Sequence, residues 1–333
     1  MFFTTILLNT IAENTNIYAN LHLKNKPRYA DSNGEWSRTT EEEILMLLGL
    51  HIYMGIVRLP RYSLYWSTDW FFHGLWARLF MTEPRFWALM GMLHISNPTT
   101  ENRSNKLTKL EPLFNHIQST CKRLYQCGKN VAIDERMVKS KNRTTLRQYM
   151  PDKPTKFGFK LFVLSDSSTG YTLDFFLYEG KNTRFENDKG LGYNTVTKLA
   201  NSLGGSGYHI FVDNFYTSAK LMADMYYKGF LMTGTLRQNR LPPALKNFKR
   251  WARCSQRGQS RSTPDEDHPI IQYTQWVDKK VVSVATTAPP AFSSETETCL
   301  RREKIDGVWK KIKLSRPTVI SNYNKVKYSI TKF

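Results

Sequence analysis

The hydrophobic period of this chain changes near residue 131, and few architectures accommodate such a change. Upstream, apolar residues recur at helical spacing; downstream they alternate or form short β-type blocks. In the first part Thr40-Glu41-Glu42-Glu43 forms a capping box, in which the Thr hydroxyl and the Glu three residues on satisfy each other's backbone donors. Ile44, Leu47, Leu48, His51 and Ile52 then share one helical face. Thr82, with Pro84 in the first turn, starts another helix with Phe86, Leu89, Met90 and Leu93 on one side. Leu113, Ile117, Cys121 and Leu124 mark a third. His51 and His94 lie on or near these stripes and are expected to be satisfied core histidines.

The second part opens with Val131-Ala132-Ile133, a short strand expected to end at Asp134. Residues 160–165 and 171–178 predict a hairpin across Ser167-Ser168-Thr169-Gly170. Residues 194–203 predict a helix, 208–212 a strand ending at Asp213, and 218–227 a helix closed at Gly229. Residues 230–235 form a last strand of this block. Gly204-Gly205-Ser206-Gly207 precedes a strand instead of joining a strand to a helix, which excludes a dinucleotide fingerprint. Residues 250–268 lack an apolar period and are expected to be a basic loop. Alternation resumes in 271–277 and 281–285, a hairpin over Asp278-Lys279-Lys280. The pattern predicts an α/β (α+β) chain, a mixed sheet with helices preceded by a helical region.

Charge narrows the function classes. The chain carries 48 Lys and Arg against 28 Asp and Glu, a formal net charge of +20, so the expected partner is a polyanion, nucleic acid first. Residues 121–160 hold 11 basic and 3 acidic side chains and residues 241–333 hold 18 and 8, while the remainder is near neutral. An apolar share of 41% with 13% aromatics excludes disorder as the main state. The sequence has no apolar run of membrane-spanning length and no basic, signal-like opening, so neither membrane insertion nor secretion is expected. Cys121, Cys127, Cys254 and Cys299 form no C-x-x-C pair and lack zinc spacing; they are expected to be free thiols.

Two aspartates at the ends of neighbouring strands would face one another. In a basic protein such a pair suits Mg²⁺, which takes oxygen ligands and keeps room for water and phosphate. Two such ions roughly 3.5–4 Å apart can activate a water or 3′-hydroxyl and stabilise the leaving oxygen of a phosphodiester. An acid/base pair for glycoside hydrolysis is the alternative use of two carboxylates, and the basic charge argues against it.

The residues around these aspartates carry a resemblance. Ile133-Asp134-Glu135-Arg136-Met137, followed by the run from Gln148-Tyr149-Met150-Pro151 through Lys153, Pro154, Lys156 and Lys160, is similar to the first catalytic block of the piggyBac family of DNA transposases. Asp213-Asn214-Phe215-Tyr216-Thr217-Ser218 resembles its second block, and Gly234-Thr235-Leu236-Arg237-Gln238-Asn239-Arg240 the segment after it. Trp276-Val277-Asp278-Lys279-Lys280-Val281 is similar to the family's insertion-domain hairpin, and Tyr323-Asn324-Lys325 to the segment that precedes its third aspartate.

The resemblance implies a ribonuclease H-like core with three catalytic aspartates and Mg²⁺ or Mn²⁺ as cofactor. It also implies DNA cleavage and strand transfer at TTAA sites, in the nucleus, on double-stranded DNA, with a homodimer as the assembly and no small-molecule substrate. Asp134 and Asp213 correspond to the first two catalytic, metal-holding aspartates; Lys153, Lys156, Lys160, Arg237, Asn239 and Arg240 are the expected DNA contacts. The implied organisation is a helical dimerisation and DNA-binding region (1–130), the first part of the core (131–240), a basic insertion domain (241–315) and the start of the second part of the core (316–333). The family's Gly-Gly-Val-Asp motif is not found after Tyr323-Asn324-Lys325. Weak catalysis by these residues alone is therefore expected, with a non-catalytic, transposase-derived DNA-binding protein as the alternative. Asp278 and Asp306, in the insertion, are poor substitutes for the missing ligand.

Overall fold

The chain divides into two units, Met1–Thr120 and Cys121–Phe333. The computed structural model describes residues 2–72, 77–102, 104–151, 153–180, 188–289, 295–305 and 307–330. Asp306 lies outside the described residues.

The first unit is helical. It contains α1 (Thr5–His22), α2 (Glu41–Ile56), a short α3 (Ala77–Phe80), α4 (Glu83–Met92) and the beginning of α5 (Glu111–Leu124). Thr40 and Thr82 cap α2 and α4, each hydroxyl accepting from the backbone N–H three residues on, at 3.4 Å; such caps contribute about 1 kcal/mol each. The capping box does not close. Glu43 instead takes a two-pronged bond from Arg85, 2.6 Å on each oxygen, and a third from the Thr39 hydroxyl. Burial pulls the Glu43 carboxyl upward, and these three donors outweigh it and hold the group below the usual carboxylate range.

The apolar face of α2 is also rotated from the expected one. Ile44, Leu47 and Leu50 are buried while Ile52 is exposed. Apolar residues occupy nearly every position from Ile44 to Ile56, so spacing alone could not select a face. His94 is a satisfied core histidine: Nε2 lies 2.5 Å from Glu101 and Tyr18 stacks on the ring at 4.2 Å. His51, by contrast, is exposed, its Nδ1–H donating to the Leu47 carbonyl.

The second unit is built on one sheet. Its strands are β1 (Asn130–Lys139), β2 (Gln148–Tyr149), β3 (Phe157–Asp166), β4 (Thr172–Leu177), β5 (His209–Val212), β6 (Leu231–Thr235), β7 (Ser260–Pro264), β8 (Gln272–Val277) and β9 (Val281–Thr286). They are ordered β2-β3-β1-β5-β6-β9-β8-β7, with β4 paired to β3. β1, β5 and β6 run parallel; the remaining pairs are antiparallel. Helices α6 (Leu191–Asn201) and α7 (Ala219–Tyr227) cover one face, where Val131, Ile133, Ile210, Val212 and Met232 meet Val196, Leu199, Leu221 and Met222. On the other face Ala132 and Phe211 pack against Tyr323 and Val326 of α9 (Thr318–Ile330). Burial on both sides explains why the central parallel strands are unbroken apolar runs.

Three expectations change. β1 does not end at Asp134 but continues to Lys139, because its antiparallel partner β3 outlasts its parallel partner β5. The stretch expected to be a basic loop contains α8 (Phe248–Cys254) and β7. The segment 241–315 is not wholly separate from the core sheet: β7–β9 extend it through β6, and only β10 (Thr296–Ile305) and β11 (Val308–Pro317) form a second, two-stranded sheet. All four cysteines are free thiols, and no helix among the described residues is long and apolar enough to cross a membrane.

Candidate active site

Register, more than any single contact, creates the site. The parallel pairing of β1 and β5 aligns Val131 with Ile210, Ala132 with Phe211 and Ile133 with Val212. The next residue on each segment is an aspartate, so Asp134 and Asp213 sit side by side where the parallel β1–β5 pairing ends, Asp213 just past β5 and Asp134 within the longer β1. The pleat sends them to the same face as Ala132 and Phe211. A small cleft there is lined by Asp134, Asp213 and Tyr323 above Ala132, Ile133, Phe211 and Val212.

Each carboxylate is oriented by local donors. The Glu135 N–H donates to Asp134 Oδ1 at 2.8 Å. The Asn214 N–H and the Thr235 hydroxyl donate to Asp213 Oδ1 at 2.6 and 2.9 Å. Burial, followed by the neighbouring Glu135, drives the Asp134 pKa well above the usual carboxylate value. Glu135 belongs to the opposite face, with the buried Tyr216 and with Lys160, whose ammonium is 3.4 Å from its carboxylate. Burial would raise Glu135, but the hydrogen bond with Asp134 and the charge of Lys160 hold it low. The Tyr216 hydroxyl makes no hydrogen bond of standard geometry, and burial next to these carboxylates pushes its pKa far above that of a free phenol.

The loop after Asp213 is held from several sides. The Asp213 carbonyl accepts from the N–H groups of Tyr216 and Thr217 and from the Thr217 hydroxyl. Arg240 donates to the carbonyls of Asn214, Phe215 and Thr217 at 3.3, 3.2 and 2.6 Å, and Arg237 donates to the Asn214 side chain at 3.2 Å. Gly234 lets β6 approach: a Cβ there would lie 2.1 Å from the Thr217 hydroxyl and 2.8 Å from Val212.

These contacts redistribute the expected DNA-binding residues. Arg237 and Arg240 are engaged in shaping the Asp213 loop. Lys160 is buried, paired with Glu135 and set over the rings of Phe162, Phe215 and Tyr178, so it is not a surface group open to phosphate. Lys153 lies 4.0 Å from Glu135, and Lys156 and Asn239 are exposed. Asp278 is taken up elsewhere, by Arg257 at 2.5 Å and Arg301 at 2.9 Å. Tyr323 was not foreseen as a site residue, although it opens the Tyr-Asn-Lys segment.

The donor set of Asp134 and Asp213 is right in kind for a hard divalent cation, since both offer carboxylate oxygens. It is short in number: among the described residues no group of three or more His, Cys, Asp or Glu side chains converges on one point.

The chain is similar to several known proteins. A protein family described as Transposase IS4 matches residues 1–332. Human PiggyBac transposable element-derived protein 3 is 26% identical over 301 residues, covering 89% of this chain and 50% of that protein. Human PiggyBac transposable element-derived protein 2 is 26% identical over 302 residues, covering 86% of this chain and 47% of that protein. The chain thus spans about half the length of these curated relatives. A piggyBac transposase, solved by cryo-electron microscopy as a synaptic complex with hairpin DNA, superposes with a TM-score of 0.76 at 24% identity, over 99% of this chain and 65% of that one.

Proposed function

The chain belongs to the Transposase IS4 family, as a piggyBac-type member, and on that premise we propose that it binds double-stranded DNA in the nucleus and carries two carboxylates of a strand-cleaving and strand-joining site. The observation that carries this reading is the β1–β5 register, which sets Asp134 beside Asp213 under Tyr323. Proposed for this chain by kinship are Mg²⁺ or Mn²⁺ dependence, TTAA targets and a homodimer. A divalent ion bound to such carboxylates supplies an activated water or 3′-hydroxyl and stabilises the leaving oxygen. The chain's own residues fix where that chemistry would occur. Thr235 and the Asn214 N–H aim Asp213, the Glu135 N–H aims Asp134, and Arg240 keeps the Asp213 loop against β6.

Two carboxylates without a third favour a second reading, a transposase-derived DNA-binding protein that does not cleave. Both are tested on duplexes carrying the element's ends with Mg²⁺ or Mn²⁺. Residues 1–333 are expected to bind the duplex and to nick it little or not at all. Extension by a downstream segment containing Gly-Gly-Val-Asp should restore cleavage, and Asp134→Ala or Asp213→Ala in the extended protein should abolish it. Robust cleavage by residues 1–333 would refute the two-carboxylate account, and an extended protein that still binds without cleaving would leave the non-catalytic reading standing.

A further inference from the structure

The β10–β11 ribbon has two unlike faces. The facing pairs Cys299–Leu314, Arg301–Ile312, Glu303–Lys310 and Glu297–Arg316 share the inner side. There Cys299, Leu314 and Ile312 pack on Trp276, Val284 and Ile320, and the Trp276 indole N–H donates to the Ser315 carbonyl at 2.8 Å. Three charges on this side have ion-pair partners. Arg301 meets Asp278 at 2.9 Å, Glu303 meets Arg257 at 3.8 Å and Glu297 meets Lys325 at 3.3 Å.

The other side follows from the period of two. Thr298–Ser315, Leu300–Lys313, Arg302–Lys311 and Lys304–Trp309 face one another across the ribbon, and all eight are exposed. This side has four cations, one indole, one leucine and two hydroxyls, with no carboxylate. None of the four cations forms an ion pair among the described residues. Arg302 and Lys311 are directly opposed, an arrangement that destabilises a ladder. Lys279, from the β8–β9 turn, adds a fifth positive charge 5.9 Å from the Trp309 ring. A ribbon that pairs both carboxylates and Arg301 on one side and opposes two like charges on the other is suited to an external polyanion. Its ten-residue strands extend about 30 Å, close to one turn of B-DNA, and a two-stranded ribbon fits the major groove.

We propose that the exposed face of β10–β11 is a sequence-independent docking surface for duplex DNA, with Arg302, Lys304, Lys311 and Lys313 on phosphates and Trp309 against the groove. The proposal rests on the DNA-binding reading above and assigns part of that binding to a surface distant in sequence from both aspartates. The test is fluorescence anisotropy of residues 1–333 with a labelled 30-base-pair duplex of random sequence, over a salt series. Replacing all four cations by Ala should flatten the dependence of log K on log salt by about three to four units. A charge-matched variant, with Lys220, Lys228, Lys249 and Arg250 replaced by Ala, should move it by less than one. The ribbon variant should melt no lower than the parent, because the opposed Arg302–Lys311 pair is gone. If it fails to fold, Arg302→Gln with Lys311→Gln should still flatten the slope by about two units. Equal slopes for the ribbon variant and the parent would overturn the ribbon while leaving DNA binding intact, and equal losses in both quadruple variants would also overturn it. A parent chain that binds no duplex at any salt would remove the DNA-binding reading itself, and the ribbon with it.

Discussion

Asp134 and Asp278 are both carboxylates in a strongly basic unit, yet they are treated in opposite ways. Asp278 accepts from the Arg257 Nε and Nη2 and from the Arg301 Nε at 2.5–2.9 Å. Burial would raise its pKa, and these donors more than reverse that. Asp134 is flanked by Asp213 and Glu135, forms no ion pair among the described residues, and has its pKa raised. A basic chain could have neutralised both. The one that joins elements of the fold is neutralised by ion pairs; the one in the candidate site has none among the described residues and is held above its usual pKa, at a cost to folding.

The largest stability effect is expected at the neutralised carboxylate. Asp278→Ala leaves two half-buried guanidinium groups without their nearest counter-charge and should cost about 2–3 kcal/mol in urea unfolding, after allowance for partial exposure. Its pH dependence has a definite sign. A lowered folded pKa means that the Asp278 contribution is complete above the unfolded value near pH 4 and is lost as pH falls through the folded value. Asp278→Ala should therefore separate from the parent at pH 6 and converge with it in strong acid. A constant difference across that range would show that the arginines are not its stabilising partners.

Gly234→Ala should come next, at about 2 kcal/mol, because the new methyl group meets the Thr217 hydroxyl, the Val212 side chain and the Val212 carbonyl. Thermal melting measures the cost. Substitution within the noise of the parent would mean that β6 does not press on the Asp213 loop. Asp134→Asn should run the other way and stabilise by about 1 kcal/mol in metal-free buffer, by removing a buried charge and its repulsion from the neighbouring carboxylate. Loss of stability instead would erase the contrast with Asp278. The smallest effect is expected at Glu303→Gln, within about 0.5 kcal/mol, since the carboxylate is half exposed and 3.8 Å from Arg257.

Much of this was legible from residue order, and the exceptions have physical causes. Thr40, Thr82 and Ser218 all cap helices as their positions foretold, and both predicted hairpins form, β3–β4 and β8–β9. β7 escaped notice because it is an edge strand whose inward residues are polar: Arg261 lies half-buried, its guanidinium bonded to Gln275 on β8. No apolar alternation marks such a strand. Lys160 was misread for a related reason. Its sequence neighbours are basic and aromatic, as at a nucleic-acid surface, but the β3 pleat turns it inward to Glu135. The adjacency of the two aspartates was foreseen; the ring of Tyr323 beside them was not, since only tertiary packing of α9 brings it there.

The β1–β5 register also acts as a gauge that is blind to chain length. Residues 140–208 intervene between the two strands, and most of them could be lengthened, trimmed or exchanged without moving Asp134 relative to Asp213. A one-residue slip of either strand would instead turn its aspartate to the α6–α7 face, among Ile133, Val212 and Tyr216. Inserted and deleted segments should therefore accumulate in the loops of this connection in homologous chains and not inside the four-pair β1–β5 ladder, which behaves as a single inherited unit of measurement.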